Sequence, residues 1–169
     1  MSLVVESGAG LANADSYVSL ADAASFHNGL GNTAWLALGT TLQEQALRKA
    51  TTYMRGEYRL RWLGKRMTET QSLDWPRSEV LRRDSVLGTY LATDVVPQEI
   101  KDACCLLALR ASTASLLADE GQRKASVTIG PISTTYESGS RVAVRYSEVD
   151  ALLKPYLMSF GGQIKLVRA

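Results

Sequence analysis

Histidine is nearly absent from this chain and cysteine is scarce: there is one histidine, His27, and two cysteines, Cys104 and Cys105. A catalytic triad has no base to draw on except His27, and that residue falls at the end of a weak helix, where a solvent-exposed or partly packed histidine is expected. The cysteines are neighbours inside an apolar run. Adjacent helical side chains point about 100° apart, so the two do not pair with each other and read as reduced core thiols. Without a C-x-x-C or a histidine cluster, metal and redox roles are not expected. No apolar run approaches the roughly 20 residues that span a bilayer. The first residues, MSLVVESGAG, lack a basic region followed by a long apolar stretch, so no signal peptide is expected and the chain reads as cytosolic. The formal net charge is only +2, too small to argue for nucleic acid from global balance.

Other signatures are missing as well. Gly8-Ala9-Gly10 lacks the third glycine of a dinucleotide loop and reads as a turn, and Gly64-Lys65-Arg66 lacks the preceding glycine and the hydroxyl of a phosphate loop. Acidic pairs such as Asp15 with Asp22, or Glu148 with Asp150, have no supporting carboxylates for a divalent cation. No catalytic residue, cofactor or metal site is predicted, and an enzyme is not expected.

What is present is a helical pattern. With 169 residues and 46% hydrophobic composition the chain can bury one core unaided. Ser19 is placed to cap a first helix, with Asp22 at its third position and Asn28-Gly29 as its stop. Thr41 and Glu44 have capping-box spacing before a second helix carrying Leu42, Ala46, Leu47, Ala50, Tyr53 and Met54. Gly56 is expected to end or weaken that helix. Pro97 opens the longest helix, whose apolar face runs from Ile100 through Leu107 to Leu117 and which is expected to be central. Ser147 starts a last helix. Between the last two lie the β-prone runs 125–129 and 132–136, separated by Gly130-Pro131, which suit a hairpin or one kinked edge strand. The expected fold is mainly α: a small bundle of about four helices around a long central helix, with a β-hairpin insert (125–145) before the last helix. Residues 1–160 form one domain, and 161–169 follow a Gly161-Gly162 hinge.

The unusual composition lies in residues 55–84. Eight basic residues (Arg55, Arg59, Arg61, Lys65, Arg66, Arg77, Arg82, Arg83) face five acidic ones, with Tyr58, Trp62 and Trp75 between them. Three readings stay open: stacking and phosphate contacts on single-stranded nucleic acid, a protein interface rich in hot-spot residues such as Arg61 and Trp62, or tryptophans that pin an irregular segment to the core.

Taken in order, N-x-D-S-Y-V-S-L-A-D-A (13–23), A-W-L-A-L (34–38), the run from Ala46 to Arg66, Ser72 to Arg77 with its L-x-W-P-R, V-P-Q-E-I-K-D-A (96–103) and V-T-I-G-P-I-S-T-T-Y (127–136) resemble the head–tail connector, or adaptor, proteins of tailed bacteriophages. The resemblance covers 4–157. It implies a structural protein at the virion neck, made in the host cytoplasm. It further implies a homo-oligomeric ring, usually dodecameric, that docks under the portal protein, receives a downstream tail or tail-completion protein, and lets genomic DNA pass without sequence-specific binding. Related sequences also carry the label of DnaT-like single-stranded DNA-binding protein, which is the alternative function. On the adaptor reading, Ile164, Leu166 and Arg168 alternate as a docking arm that adds an edge strand to the portal or lies in a groove, the other reading being a frayed terminus. Ile129, Ile132 and Tyr136 of the hairpin would meet a neighbouring subunit or the tail side, unless they belong to the core.

Overall fold

Ser19 caps the first helix as its position predicts. Its hydroxyl accepts from the Asp22 amide at 3.1 Å and donates to the Asp22 carboxylate at 2.7 Å. The computed structural model describes residues 2–83, 85–86, 88–117, 126–129, 132–135 and 145–158. Among these the chain is mostly helical. Five α-helices occur: α1 (Leu20–Gly29), α2 (Thr33–Leu36), α3 (Thr40–Tyr58), α4 (Gln98–Ala111) and α5 (Ser147–Leu153). Two antiparallel strand pairs accompany them, β1 (Lys65–Arg66) with β2 (Arg77–Ser78), and β3 (Ser126–Ile129) with β4 (Ile132–Thr135). The second pair is the expected hairpin, with Ile129 opposite Ile132 and Val127 opposite Thr134.

The centre of the molecule is α4, which α1, α3 and α5 all touch. Eight of its residues are buried, including Ile100, Cys104 and Leu107. Alanines let α3 come close to it: Ala46 and Ala50 on α3 and Ala103 and Ala108 on α4 are fully buried or nearly so. The Thr51 hydroxyl of α3 donates to Leu47 O at 2.9 Å and lies 3.5 Å from the Cys104 sulfur. Both thiols are free and buried, and burial pushes their pKa values up, which keeps them protonated and unreactive. Each large apolar side chain enclosed along this seam contributes on the order of 1.5–3 kcal/mol.

Several details correct the sequence reading. The extra helix is the one-turn α2, too short to show periodicity and held by the buried Trp35. α3 begins one residue before the expected cap, with Gly39 as N-cap, so Thr41 lies inside the helix and Glu44 pairs with Arg48 at 3.3 Å instead of closing a capping box. Gly56 does not end α3, which continues to Tyr58. α4 stops at Ala111, short of Leu117, which is exposed. The expected start of the last helix at Ser147 does hold.

His27 is the largest departure. It is fully buried, not exposed, because α2 folds back over the end of α1. The Trp35 ring centroid lies 4.7 Å from the imidazole, and Phe26 meets it edge-on at 5.3 Å. The Asn32 side-chain amide donates to Nδ1 at 3.1 Å, which leaves the proton on Nε2. Nε2 is buried without a hydrogen-bond partner among the described residues. Burial lowers the His27 pKa below the usual value near 6.5. The folded state therefore holds the ring neutral where the unfolded chain takes up a proton. Stability is expected to fall as pH drops below about 6.5, at up to about 1.4 kcal/mol per pH unit until the folded pKa is reached. Urea midpoints at pH 7.5 and 5.5 measure this. His27→Gln should remove most of the difference, and an equal slope in both proteins would exclude His27 as its source.

Candidate interaction surface

The arginine- and tryptophan-rich segment is built inward from the end of α3. After Tyr58 the chain turns, and Trp62 forms an antiparallel bridge with Leu157, flanked by Leu63 N to Tyr156 O at 2.9 Å and Met158 N to Arg61 O at 2.7 Å. Gly64 follows with φ +68°, at a point where a Cβ would collide with the Ser78 carbonyl, so only glycine fits. Around this turn the aromatic rings interlock. Trp62 meets Tyr58 at 5.7 Å and Trp75 edge-on at 5.7 Å, and Trp75 meets Tyr156 edge-on at 5.6 Å.

The Leu73-Asp74-Trp75-Pro76-Arg77 stretch, with a cis Trp75–Pro76 peptide, forms a buried polar knot beneath these rings. Arg77 donates from Nε to Leu63 O at 2.7 Å, from Nη2 to Gly64 O at 2.7 Å and from Nη1 to Asp74 O at 3.2 Å. The Gln71 side-chain amide donates to Leu73 O at 2.9 Å and Pro76 O at 3.1 Å, and its oxygen accepts from Thr68 N at 2.8 Å. Tyr17 accepts from the Asp74 amide at 3.1 Å. The Asp74 side chain is 1% exposed and lies 3.2 Å from Arg59 Nε. The Trp62 indole N–H faces the same carboxylate, short of hydrogen-bond alignment. Burial raises the Asp74 pKa, opposed by Arg59, Arg77 and Arg66.

This arrangement sorts the basic residues. Arg77 and Arg59 belong to the knot, and Arg66 reaches the Leu73 carbonyl at 3.4 Å. Arg61 pairs with Glu57 at 3.2 Å and lies over the Tyr58 ring at 5.3 Å, and Lys65 pairs with Glu79 at 3.0 Å. Among the described residues, Arg55, Arg82 and Arg83 have no ion-pair partner. All three tryptophans are at most 2% exposed. Trp62 is therefore removed from the expected contact residues: its indole belongs to the aromatic stack. Arg61 stays at the surface, beside Leu60, which is 83% exposed, and Met158, also exposed. Of the other expected contact residues, Ile129 and Ile132 are described only as paired backbone, while Tyr136, Ile164, Leu166 and Arg168 lie outside the described residues. Met158, the last described residue, lies beside Arg61.

A second surface element follows, for which the sequence pattern predicts no strand. Residues 80–83 and 88–91 form an antiparallel arm, with a Leu81–Tyr90 bridge, Arg82 N to Thr89 O at 2.9 Å and Leu91 N to Val80 O at 2.8 Å. Val80 and Leu91 are buried at its base. Beyond them Leu81 is exposed, Tyr90 is 65% exposed and Val86 is 101% exposed, together with Arg82 and Arg83. Leu81 and Tyr90 face each other across the arm and share one of its sides. The available signal was a pair of apolar ends, Val80-Leu81 and Tyr90-Leu91, around a mixed stretch containing Gly88.

The Gly8-Ala9-Gly10 turn offers nothing to a phosphate, because its amides are already occupied. The buried Glu6 carboxylate accepts from Gly8 N at 2.9 Å, Gly10 N at 3.0 Å and Leu11 N at 2.8 Å. Among the described residues no three His, Cys, Asp or Glu side chains converge as a metal site, and no helix is long and apolar enough to cross a membrane.

Fold and surface together define a small helix-rich protein with a tryptophan-pinned turn and an exposed apolar and basic arm. The chain belongs to a protein family described as "Putative DnaT-like ssDNA binding protein", whose model matches residues 1–169. Comparison with curated proteins finds no match, and comparison with solved structures finds none.

Proposed function

We propose that this chain is a non-catalytic assembly subunit: a head-to-tail adaptor of a tailed bacteriophage that forms a ring under the portal, extends the DNA channel and receives the next tail component. One observation carries this reading. The segment with the composition of a nucleic-acid platform is turned inward, its indoles buried and most of its cations engaged, while Val86 and Leu60 are the most exposed of the large apolar side chains among the described residues. Stacking on a single strand needs exposed rings, whereas exposed apolar anchors beside arginine suit a protein interface. A lumen that conducts DNA also works better near neutrality, because phosphate contacts supply most nonspecific affinity and would slow passage.

A second reading, a single-strand binder, has the family description in its favour and one observation besides: Tyr90 is exposed on the same arm as Arg82 and Arg83, which have no ion-pair partner among the described residues. Native mass spectrometry of the protein alone and with its cognate portal, alongside titration of labelled single-stranded DNA at physiological salt, separates the two. The adaptor reading expects ring-sized complexes on the portal and DNA binding no tighter than the nonspecific range of about 10⁻⁴–10⁻⁶ M. It further expects a chain lacking residues 161–169 to fold but fail to bind the portal. A monomer that ignores the portal and binds single strands tightly would establish the second reading instead.

A further inference from the structure

A groove of about 440 Å³ opens between α1 and the first half of α4. Its apolar lining comes from Val18, Phe26 and Leu30, and its charged lining from Asp22, Asp102 and Lys101. The volume is in the range of clefts that take several side chains or a small ligand. Asp22 and Asp102 accept hydrogen bonds from Ser19 and Gln98 but make no ion pair with a described residue, so the groove carries a net charge of one minus. No residue of the 80–91 arm lines it.

The arm has the opposite character. It projects from a buried base, presents Val86, Leu81 and Tyr90 to solvent, and carries Arg82 and Arg83 without ion-pair partners among the described residues. Apolar groups on one element, with cations that pair with no described residue, match apolar walls on another, with carboxylates that pair with no described residue. Charge complementarity of this kind sets partner choice and register. We infer that the arm of one copy of this chain docks in the α1/α4 groove of a second copy, with Val86 against the apolar wall and Arg82 and Arg83 toward Asp22 and Asp102.

Two different surfaces of the same molecule then meet. Such a heterologous contact leaves each copy with one unused arm and one unused groove, so it propagates, and it closes into a ring when the rotation per subunit allows. The inference rests on the adaptor reading and deepens it by naming the subunit–subunit interface. It also gives the arm a role other than stacking on nucleic acid.

Site-directed crosslinking tests it in the full-length chain. A Val86→Cys, Leu30→Cys double variant, oxidised at high protein concentration, is expected to give a ladder of covalent oligomers. Either single variant alone should give no ladder. Adding Asp22→Lys and Asp102→Lys should reduce the crosslinked fraction about tenfold or more, and further adding Arg82→Glu and Arg83→Glu should restore it. A ladder indifferent to these charge reversals, or no ladder from a protein that native mass spectrometry shows to form rings, overturns the arm-in-groove contact and leaves the adaptor reading standing. A chain that stays monomeric with and without the portal, and loses single-strand binding on Arg82→Glu, Arg83→Glu substitution, overturns both.

Discussion

Replacing Arg77 with methionine is expected to lower the unfolding free energy by about 3–5 kcal/mol, measured as a drop in urea midpoint at constant slope. The side chain is nearly enclosed and its three donors hold three main-chain carbonyls, at Leu63, Gly64 and Asp74. Methionine fills much of the volume but leaves those carbonyls without their donors in a site closed to water, and each unsatisfied buried group costs about 1–3 kcal/mol. It also removes one of the cations that offset the burial of the Asp74 carboxylate. Lysine is no remedy, since a single ammonium cannot reproduce the planar fork that spans the turn from 63 to 74. Arg61→Met is the control: that side chain is partly solvated and paired with Glu57 at the surface, so the expected loss is under about 1 kcal/mol. A loss below about 1 kcal/mol for Arg77 would mean that the Trp-Pro-Arg turn is held by the aromatic stack alone.

Trp62→Ala should have an effect of similar size, about 3–5 kcal/mol, through the cavity it leaves against Tyr58 and Trp75. This substitution also decides among the three readings of the arginine-rich segment. If Trp62 pins the segment to the core, stability falls while the affinity of the remaining folded protein for single-stranded DNA or the portal is unchanged. If the indole is a stacking platform or an interface anchor, affinity falls and the melting temperature does not. Tyr90→Ala on the exposed arm is the converse case, with stability expected to change by no more than about 0.5 kcal/mol.

The failures of sequence reading share a cause with these predictions. The helices of three or more turns were legible because their apolar residues recur with helical spacing, as Ala46, Leu47, Ala50 and Met54 do on α3. The hairpin was legible because its two β-prone runs flank Gly130-Pro131. His27 was misplaced because burial at a helix end depends on what folds over it. Here the cover is Trp35 on a one-turn helix with no periodic signature. Trp62 was placed among contact residues because composition cannot distinguish a buried Arg–Trp cluster from an exposed one. The arm was missed because two short pairing segments around a mixed stretch leave almost no periodic trace, and its pairing is set by the base at Val80 and Leu91.

The sequence alone determined a mainly helical chain with a central helix after Pro97, a strand pair before the last helix and two core thiols that do not pair with each other. Each of these follows from local spacing, helix-terminus chemistry or the adjacency of Cys104 and Cys105, quantities that do not depend on distant residues. Only the tertiary structure decided which way residues 55–84 face. Arg77 reaches carbonyls 13 and 14 positions earlier, Asp74 meets Tyr17 57 positions away, and Trp62 pairs with Leu157 near the other end of the described chain. The same folding leaves Leu60 and the arm at the surface. Inward or outward is a property of what packs on the other side, and for this segment the packing partners come from both ends of the chain.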